Sequence, residues 1–309
     1  MKKVIVTGGA GFIGAHLTRR LMGDGYQVTV LDDLSTGKLK NVEKTLSGNS
    51  IDFVQGSITD PDLLGKLFPG VDSVFHLAAI PSVPRSISEP VLSHQVNASG
   101  TLNVLLAARD AGVNRVIYSS SSSVYGDTPT LPKKEAMVPD PQSPYAVAKL
   151  SGEYYCRVFQ KVYGLSTVCL RYFNVFGPGQ DPDSQYAAVI PRFIKSCFKG
   201  DSPVIFGDGE QTRDFTFVKD VVTANVLANE SQASGVFNIS GGDSITINWL
   251  VKHIIELTGS DVEPVYKEPR PGDIKHSLAD ISKAKTIGYK PEHDLKAGLS
   301  ETVAWIKNG

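Results

Sequence analysis

A cluster of glycines directly after a short apolar run is the strongest constraint on the fold of this 309-residue chain. The run covers residues 4–6, and Gly8, Gly11 and Gly14 follow it with the spacing GxxGxxG in the stretch TGGAGFIGAHL. Glycine loses much backbone entropy on folding, so this density needs a physical reason. A strand, a tight glycine turn and a helix N-terminus let the backbone approach a pyrophosphate and bind its oxygens through free N–H groups. The stretch therefore predicts a dinucleotide site.

The end of the second predicted strand supports this interpretation. Asp32 and Asp33 lie there, eighteen and nineteen residues after Gly14. A carboxylate at this place binds the hydroxyls of the adenosine ribose and repels a phosphate on them. The cofactor predicted from these residues is NAD, not NADP.

Apolar runs that resemble strands alternate with helical stretches along the first half of the chain. The runs cover residues 4–6, 28–31, 51–54, 74–77, 116–118 and 167–170. This alternation predicts an α/β fold, a Rossmann-type doubly wound parallel sheet. Beyond residue 172 the elements are shorter and less regular, which predicts a smaller C-terminal α/β substrate-binding region. We expect an NAD-binding domain over 1–172 and a mainly substrate-binding domain over 173–309, with some segments of the second returning to the first.

Composition excludes several classes of partner. The chain is 41% hydrophobic and 20% charged, with a formal net charge of −1, so it has no broad field for nucleic acid or an anionic membrane. No apolar stretch approaches membrane-spanning length and no signal peptide is evident, so we expect a cytoplasmic protein. Cys156, Cys169 and Cys197 are odd in number and lack CxxC spacing, which predicts neither a disulfide framework nor a metal site.

The motif PYAVAK, residues 144–149, is the candidate for the chemistry, although taken alone it is also typical of an amphipathic helix in which the tyrosine and lysine have no catalytic role. Tyr145 and Lys149 are four residues apart at the start of a predicted helix, so their side chains share a face. A phenol with a pKa near 10 is a poor base at neutral pH, and lowering that pKa by roughly three units requires about 4 kcal/mol of anion stabilisation. A lysine ammonium and a positively charged nicotinamide ring each supply part of it.

A run of serines, residues 119–123, follows the fifth predicted strand. It lies at the carboxyl edge, where open α/β sheets bind ligands. A hydroxyl there can share the reacting proton with Tyr145. A flexible serine loop is the alternative interpretation of the run alone.

Together these stretches resemble the extended short-chain dehydrogenase/reductase family, and within it the nucleotide-sugar 4-epimerases of the UDP-galactose and UDP-N-acetylglucosamine type. The resemblance spans essentially the whole chain. The matching stretches, in order, are TGGAGFIG, the Asp32–Asp33 strand end, HLAA at 76–79, Asn97 with Gly100–Thr101, SSSSSVYG, YAVAK, LRYFNVFGPGQ, FGDGEQTRDF and RPGD.

The resemblance implies a reaction. The tyrosine that matches Tyr145 takes the proton of the sugar 4-hydroxyl while hydride passes from C4 to tightly bound NAD, and hydride then returns to the other face of the 4-keto sugar. Lys149 matches the lysine that bridges the nicotinamide ribose, and Ser121 matches the hydroxyl partner. Related dehydratases and decarboxylases carry a carboxylate where this chain has Ser122 and Ser123, so elimination and decarboxylation are disfavoured.

The resemblance also implies contacts to the cofactor. In addition to the three glycines, Asp33 and the catalytic pair, they fall on Phe12, Ile13, Asp32, Ser35, Thr36, Gly37, Ser57, Ile58, Leu77, Ala78, Ala79, Asn97 and Phe173. Two positions depart from the pattern. Many galactose-type members have lysine at the place of Pro81, and they often have aspartate at the place of Ser57.

The positions that match the UDP-sugar site come from several stretches of the chain. They are Ser82, Arg85, Ser121, Ser122, Ser123, Tyr145, Asn174, Ala188, Val189, Phe206, Arg213, Arg270, Asp273 and Ser277. Ser277 stands where strict galactose/glucose epimerases tend to carry tyrosine, which favours UDP-GlcNAc/UDP-GalNAc with or instead of UDP-Glc/UDP-Gal. Arg85 or Arg192 could alternatively meet a carboxylate, so UDP-glucuronate 4-epimerisation stays open.

Two other classes remain as alternatives. One is a dehydratase, decarboxylase or reductase of the same fold, and the other is a non-catalytic dinucleotide-sensing or scaffold protein that would tolerate loss of Tyr145 or Lys149. Relatives commonly form homodimers through two long helices, here those that contain residues 101–111 and 145–163. We therefore expect a homodimer that binds a UDP-sugar and neither nucleic acid nor membrane.

Overall fold

Seven parallel strands form the centre of the protein in the computed structural model, which describes residues 1–46, 51–183, 188–269 and 275–308. In chain order the elements are β1 (Lys3–Thr7), α1 (Phe12–Gly23), β2 (Gln27–Asp32), α2 (Lys40–Leu46), β3 (Ile51–Gln55), α3 (Pro61–Leu67), β4 (Ser73–His76), α4 (Val83–Ser88), α5 (Pro90–His94), α6 (Gly100–Asp110), β5 (Arg115–Ser121), α7 (Pro144–Tyr163), β6 (Ser166–Tyr172), β7 (Val175–Phe176), α8 (Val189–Lys199), β8 (Val204–Phe206), β9 (Thr212–Asp214), β10 (Thr216–Phe217), α9 (Val218–Glu230), β11 (Gly235–Ile239), β12 (Ser244–Thr246), α10 (Ile247–Thr258), β13 (Val265–Lys267), α11 (Ser282–Lys285) and α12 (Leu295–Asn308).

The order of strands across the sheet is β11-β6-β5-β4-β1-β2-β3. The chain builds outward from β1 to β3, then returns to place β4 on the other side of β1. Ligands of open α/β sheets bind outside the carboxyl ends of the strands at such a reversal, here between β1 and β4. The Rossmann-type α/β fold predicted from the sequence is confirmed, with all six predicted strands in the sheet.

The seventh strand, β11, was not predicted. It pairs in parallel with β6, from Gly235 opposite Val168 to Ile239 opposite Tyr172. It lies within the range expected to form mainly the substrate-binding domain. Its five residues, GVFNI, include an asparagine and a glycine, so the apolar run is too short to indicate a strand by itself.

Side chains on the two faces of the sheet enter two different cores. Val4 and Val6 pack in the cluster that contains Leu17 of α1 and Val221 of α9, whereas Ile5 packs in the cluster that contains Val104 of α6. This is the alternation expected of a strand buried on both faces. Complete burial of a side chain such as Ile5 contributes about 1.5–3 kcal/mol. The sheet is therefore a rigid support for residues at its carboxyl edge.

The less regular half forms a third core beside the sheet. Three two-stranded ladders, β7 with β10, β9 with β12 and β8 with β13, surround it. Phe193 of α8, Leu250 of α10 and Leu299 of α12 are buried in it.

No helix in the described part of the chain is long and apolar enough to cross a membrane. All three cysteines are buried free thiols.

Candidate active site

The glycine turn after β1 forms a cradle that larger residues would fill. Gly8 has φ +71°, and a Cβ placed on it would lie 2.7 Å from the main-chain nitrogen of Ala78 in the loop after β4. A Cβ on Gly14 would lie 2.1 Å from the carbonyl oxygen of Gly8. Gly11 precedes α1, and no side chain of the described residues caps this helix. The first turn of α1 therefore begins without a side-chain cap, which suits the binding of a dinucleotide pyrophosphate by main-chain N–H groups.

Asp32 places a carboxylate beside this cradle. Its Oδ2 accepts a hydrogen bond from the Ala10 N–H at 2.9 Å, and its Oδ1 accepts one from the Leu34 N–H at 2.8 Å. Burial raises the pKa of Asp32 above its usual range. A Cβ on Gly37 would lie 2.8 Å from the same carboxylate, so the loop over residues 35–37 approaches it closely. The residues present fit the ribose-binding role predicted for Asp32.

Asp33 is more exposed than Asp32. One of its oxygens accepts hydrogen bonds from both the N–H and the hydroxyl of Ser35, at 2.9 and 2.6 Å. The two residues therefore shape the loop together, and their contact with the cofactor stays a prediction. Ser57 and Ile58 follow β3 at the same edge of the sheet, and Ile58 is buried.

Asn97 supports the loop after β4. Its Oδ1 accepts from the Ile80 N–H at 2.8 Å, and its Nδ2 donates to the Ile80 carbonyl at 3.1 Å. Asn97 is buried, so these bonds hold the loop that contains Leu77, Ala78 and Ala79. Its direct contact with the cofactor stays a prediction.

His76 is a supporting residue that sequence reasoning did not single out. Its Nδ1 lies 2.8 Å from Thr7 Oγ1, and its Nε2 lies 2.9 Å from Thr101 Oγ1. Burial lowers the pKa of His76 to about 3, so the ring is neutral and links the ends of β1 and β4 to α6. Thr7 Oγ1 also accepts from the Ala78 N–H at 3.2 Å. The stretch HLAA at 76–79 is part of the resemblance and includes His76, but a sequence motif does not show that this histidine is hydrogen bonded to Thr7 and Thr101.

Tyr145 lies at the start of α7, opposite the end of β5. The Ser143 hydroxyl caps this helix by accepting from the Ala146 N–H at 3.2 Å, and Pro144 occupies the first helical position. The hydroxyl of Ser121, the last residue of β5, lies near the Tyr145 phenol. Lys149 Nζ lies 5.9 Å from the centre of the Tyr145 ring. The structure therefore brings together the three residues predicted to be catalytic.

The pKa values of this group differ from one expectation. Burial raises the pKa of the Tyr145 phenol, and the nearby Ser121 hydroxyl lowers it in part. Burial also lowers the pKa of Lys149 to about 8, and its ammonium donates to the Ser119 carbonyl at 2.8 Å. In the protein alone Tyr145 is thus a neutral phenol, although the sequence had suggested that Lys149 would lower its pKa. Formation of the phenolate needs the positive charge of the nicotinamide as well.

Ser122 and Ser123, which follow Ser121, begin a short 3₁₀ turn over residues 122–125. The Ser121 hydroxyl accepts from the Ser123 N–H at 3.2 Å, which orders the run that could have been a flexible loop. The Ser123 hydroxyl oxygen is buried and has no hydrogen-bond partner among the described residues. Phe173 is buried behind the turn, with its ring centre 6.1 Å from that of Tyr125. Phe173 therefore packs in the core there, and its contact with the cofactor stays a prediction.

A cavity of about 290 Å³ lies in the C-terminal half. Five residues predicted to hold UDP line it, namely Asn174, Ala188, Val189, Phe206 and Arg213. Gln211 also lines it but was not predicted, although it belongs to the quoted stretch FGDGEQTRDF. Its Nε2 donates to the Phe206 carbonyl at 2.7 Å, and its Oε1 is buried without a partner among the described residues. The wall therefore offers an amide oxygen to a polar ligand.

Asn174 connects this cavity to the residue that we associate with sugar choice. Its Nδ2 donates to the Asp214 carbonyl at 2.8 Å and lies 3.4 Å from Ser277 Oγ. Arg213 Nη1 donates to the carbonyls of Thr212 at 2.9 Å and Lys275 at 3.3 Å. Arg270 and Asp273, also predicted to bind UDP, lie outside the described residues.

Ser82 and Arg85 lie on another helix. The Ser82 hydroxyl caps α4 by accepting from the Arg85 N–H at 3.1 Å. The Arg85 guanidinium contacts Glu89 one turn later, with 3.3 Å between Nε and Oε2. A carboxylate within the protein thus already faces this arginine. A role for either residue toward the sugar stays a prediction.

A glycine cradle at the switch point of a parallel sheet, together with a tyrosine that has a serine and a lysine beside it, is the arrangement of NAD-binding α/β enzymes that move hydride and a proton at a carbinol. The chain belongs to the NAD dependent epimerase/dehydratase family, which it matches over residues 4–240.

Three solved structures are similar to this chain over nearly all of its length. UDP-N-acetylglucosamine 4-epimerase from Methanobrevibacter ruminantium M1, in complex with UDP-N-acetylmuramic acid, is 47% identical with a TM-score of 0.96, and the match covers 99% of this chain and 98% of that one. UDP-glucose 4-epimerase from Thermotoga maritima, with UDP-glucose, is 41% identical with a TM-score of 0.95, covering 99% of both. UDP-glucuronic acid 4-epimerase from Bacillus cereus, in complex with UDP-glucuronic acid and NAD, is 35% identical with a TM-score of 0.92, covering 99% of both.

Proposed function

We propose that this protein is an NAD-dependent UDP-sugar 4-epimerase that interconverts UDP-GlcNAc and UDP-GalNAc, UDP-Glc and UDP-Gal, or both pairs. The observation that carries the proposal is that Tyr145 and Lys149 of α7 lie together at the carboxyl end of β5, with Lys149 Nζ 5.9 Å from the centre of the Tyr145 ring and the glycine cradle at the same edge of the sheet. The similar structures are 4-epimerases of three UDP-sugars.

The residues of this chain divide the work of the reaction. NAD, held by the glycine cradle and Asp32, would supply a reversible hydride acceptor for C4 of the sugar. Tyr145 accepts the proton of the 4-hydroxyl and later gives it back, and Ser121 lies beside it as a second hydroxyl toward the 4-oxygen. Lys149 keeps a positive charge 5.9 Å from the centre of the Tyr145 ring. Neither Ser122 nor Ser123 can act as the acid that elimination or decarboxylation needs.

The nucleotide part of the substrate fits the C-terminal cavity. A pocket that holds UDP by its aromatic and cationic wall leaves the sugar free to turn between hydride removal and return. Phe206 and Arg213 supply such a wall, and Gln211 supplies a buried acceptor for the N–H of a uracil. Inversion at C4 therefore depends on affinity for the nucleotide more than for the sugar.

Ser277 supports an N-acetylhexosamine substrate. The Ser277 hydroxyl lies 3.4 Å from Nδ2 of Asn174, which lines the C-terminal cavity. The small serine side chain therefore lies next to this cavity. A tyrosine at this place would fill space that an acetamido group needs. The uronate alternative is weaker at Arg85, which already faces Glu89, and depends on Arg192, which lines the C-terminal cavity.

The exposed face of α7 supports a homodimer. Val147, Tyr154, Val158 and Val162 are 49%, 52%, 48% and 62% exposed, and their spacing places them along one face of the helix. A contiguous apolar stripe of this kind on a soluble protein marks an interaction surface. A second copy of the chain, packed through the same helix, would cover both stripes. The cytoplasmic location stays a prediction.

The assay uses purified protein with UDP-GlcNAc, UDP-Glc or UDP-GlcUA in separate reactions, without added NAD. Separation of the products by ion-pair chromatography, followed by NMR of the anomeric region, identifies the 4-epimer. We expect UDP-GalNAc from UDP-GlcNAc at unchanged mass, with no net change in absorbance at 340 nm. If no UDP-sugar yields its 4-epimer, even after NAD is added, the proposal is wrong.

A further inference from the structure

A buried ion pair lies on the helix that carries Tyr145, and the reaction outlined above does not use it. Glu153 of α7 accepts two hydrogen bonds from Arg171 of β6, at 2.8 Å from Nε and 2.7 Å from Nη2. Both side chains are only 3% exposed. This is the bidentate arrangement of arginine and carboxylate, which fixes the geometry of both partners. The pair therefore joins α7 to the sheet at one defined position.

Ser120 is the third member of this group. Its hydroxyl donates to Glu153 Oε1 at 2.5 Å. Ser120 lies opposite Arg171 in the register of β5 and β6, so one carboxylate bonds to two adjacent strands at the same level of the sheet. The next residue of β5 is Ser121, whose hydroxyl lies near the Tyr145 phenol.

The last three residues of β5 each contact a different residue of α7. The Ser119 carbonyl accepts from Lys149, the Ser120 hydroxyl donates to Glu153, and the Ser121 hydroxyl meets Tyr145. Tyr145, Lys149 and Glu153 are spaced by four residues, so they follow one another along one face of the helix. A slide of α7 by one residue, about 1.5 Å, would break all three contacts together.

We propose that Glu153, held by Arg171, is a positioning residue for the epimerase reaction, because it fixes α7 against β5 and so keeps the Tyr145 hydroxyl at Ser121. The inference rests on the proposed function. A buried ion pair is a poor device for stability alone, since desolvation of both charges offsets their attraction. Its directional bonds, however, set the position of a helix that an apolar contact would leave free to slide.

Ser120→Ala is the first test, because it keeps the ion pair and changes little volume. It should lower kcat about fivefold, while KM for UDP-GlcNAc and Kd for NAD stay within about twofold, since a displaced base affects the chemical step and not binding. Glu153→Gln should lower kcat roughly 10- to 100-fold, with the same unchanged KM. Glu153→Gln carries a risk of unfolding because Arg171 is left buried and unpaired, so the inference stands on Ser120→Ala.

Thr167→Val is the matched control. The Thr167 hydroxyl on β6 donates to the Cys156 carbonyl of α7 at 3.0 Å, and Thr167 is buried like Ser120. It too joins a strand to α7, but toward the other end of the helix. It should leave kcat within about twofold of wild type if the register at Ser120 is what matters.

A measurement without substrate gives an independent readout. Amide hydrogen exchange over residues 143–150 of the folded protein should be faster in Ser120→Ala than in Thr167→Val, because the first turn of α7 is less restrained. Equal kcat and equal exchange in Ser120→Ala and Thr167→Val would overturn the inference. A fall in kcat that follows a parallel rise in KM would also overturn it. Failure of the proposed function is distinct, since the wild-type protein itself would then form no 4-epimer.

Discussion

Lys149 Nζ donates to the main-chain oxygen of Ser119 at 2.8 Å, although the centre of the Tyr145 ring is only 5.9 Å away. The position of the ammonium is therefore set by its hydrogen bond to the backbone of β5 and not by a contact with the phenol. The pKa of Lys149 is nevertheless lowered to about 8, because burial removes the ammonium from water and this loss of hydration outweighs its one hydrogen bond to a carbonyl. The protein therefore carries a destabilising charge beside Tyr145, at the carboxyl edge of the sheet.

The stability of the cofactor-free protein should reflect this charge. Lys149 has a lower pKa when folded, about 8, than its ordinary value of 10.5, so the unfolded chain binds more protons between these two values. Stability contributed by this group therefore rises with pH from about 8 to 10.5. Relative to Lys149→Met, the wild type should gain on the order of 2–3 kcal/mol across that window, at about 1.4 kcal/mol for each pKa unit. Urea unfolding of both proteins at pH 7.5, 8.5 and 9.5 measures the difference, and a constant difference would contradict the buried ammonium.

Tyr145→Phe should abolish turnover, with a loss of at least about 10³-fold, because general base catalysis alone contributes 10²–10⁴-fold and no other group occupies its place beside Ser121 in the described part of the chain. NAD binding and the unfolding temperature should change little. Chromatographic assay of UDP-GalNAc formed from UDP-GlcNAc measures the loss. Tyr26→Phe, which removes a tyrosine hydroxyl from the core under α1, is the control and should keep full activity. Activity of the Tyr145 variant above about a tenth of wild type would remove Tyr145 from this role.

Gly14→Ala should destroy the dinucleotide cradle. The added Cβ would lie 2.1 Å from the Gly8 carbonyl oxygen, so the turn must shift. We expect Kd for NAD, measured by calorimetry on cofactor-free protein, to rise at least about 100-fold, a change of about 2.8 kcal/mol. Gly23→Ala at the other end of α1 is a matched control, because, apart from the adjacent backbone of α1 and the neighbouring residues in sequence, no heavy atom of the described residues lies within 4 Å of its added Cβ. It should leave Kd unchanged and stabilise the helix by a few tenths of a kcal/mol or more. Equal Kd values for the two variants would exclude the glycine turn as the cofactor site.

Ser277→Tyr should change the choice of sugar. The phenol ring would extend from a residue that contacts Asn174, and we expect kcat/KM for UDP-GlcNAc to fall by about 10- to 100-fold while that for UDP-Glc falls less than about threefold. Parallel progress curves on both substrates give the ratio. Ser277→Ala, which removes the hydroxyl without adding volume, should keep the ratio of the wild type. A uniform fall on both sugars in the tyrosine variant would mean that residue 277 does not border C2.

Val158→Asp should separate the proposed dimer. The charge would enter the centre of the apolar stripe on α7 and lie buried against the same charge of the second copy. Light scattering after size exclusion should then show a mass near the 33.2 kDa of one chain. Val138→Asp is the control, because Val138 is 84% exposed and lies on a loop. A wild-type protein that already has the mass of one chain would contradict the dimer, whatever the variants do.

The parts of this protein that depend on local pattern were predictable from the sequence. The β-strand runs, the glycine turn and the PYAVAK helix each carry their signal within a few residues, because apolar periodicity, turn chemistry and helix capping are local properties. The position of the serine run near Tyr145 followed from placing both at the carboxyl edge of a parallel sheet, whereas Ser121 in particular was predicted through the resemblance. The residues that line the C-terminal cavity were also predicted only through the resemblance, since they come from β8, β9, α8 and the chain around Asn174.

Other features depend on contacts between residues distant in the chain, and nothing local signals them. Neither the partner of Glu153 nor those of His76 could be read from spacing, because Arg171 of β6 contacts Glu153, and Thr101 of α6 contacts His76, only when strands and helices pack together. Likewise, the raised pKa of Tyr145 reflects burial, which depends on the packing of α7 as a whole. Asn97 illustrates the same limit, since its side chain bonds to the Ile80 backbone seventeen residues earlier.

The pairing of β11 with β6 also has a consequence during synthesis on the ribosome. All of β6 has been synthesised once Tyr172 has left the exit tunnel. Its partner strand β11, which ends at Ile239, has emerged completely only 67 residues later. During that interval the nascent chain presents an unsatisfied row of peptide groups, which is the kind of surface that recruits chaperones or a neighbouring nascent chain. A fragment that ends at residue 172 would keep this edge open permanently, so translation must run past the apparent end of the nucleotide-binding half before that half is complete.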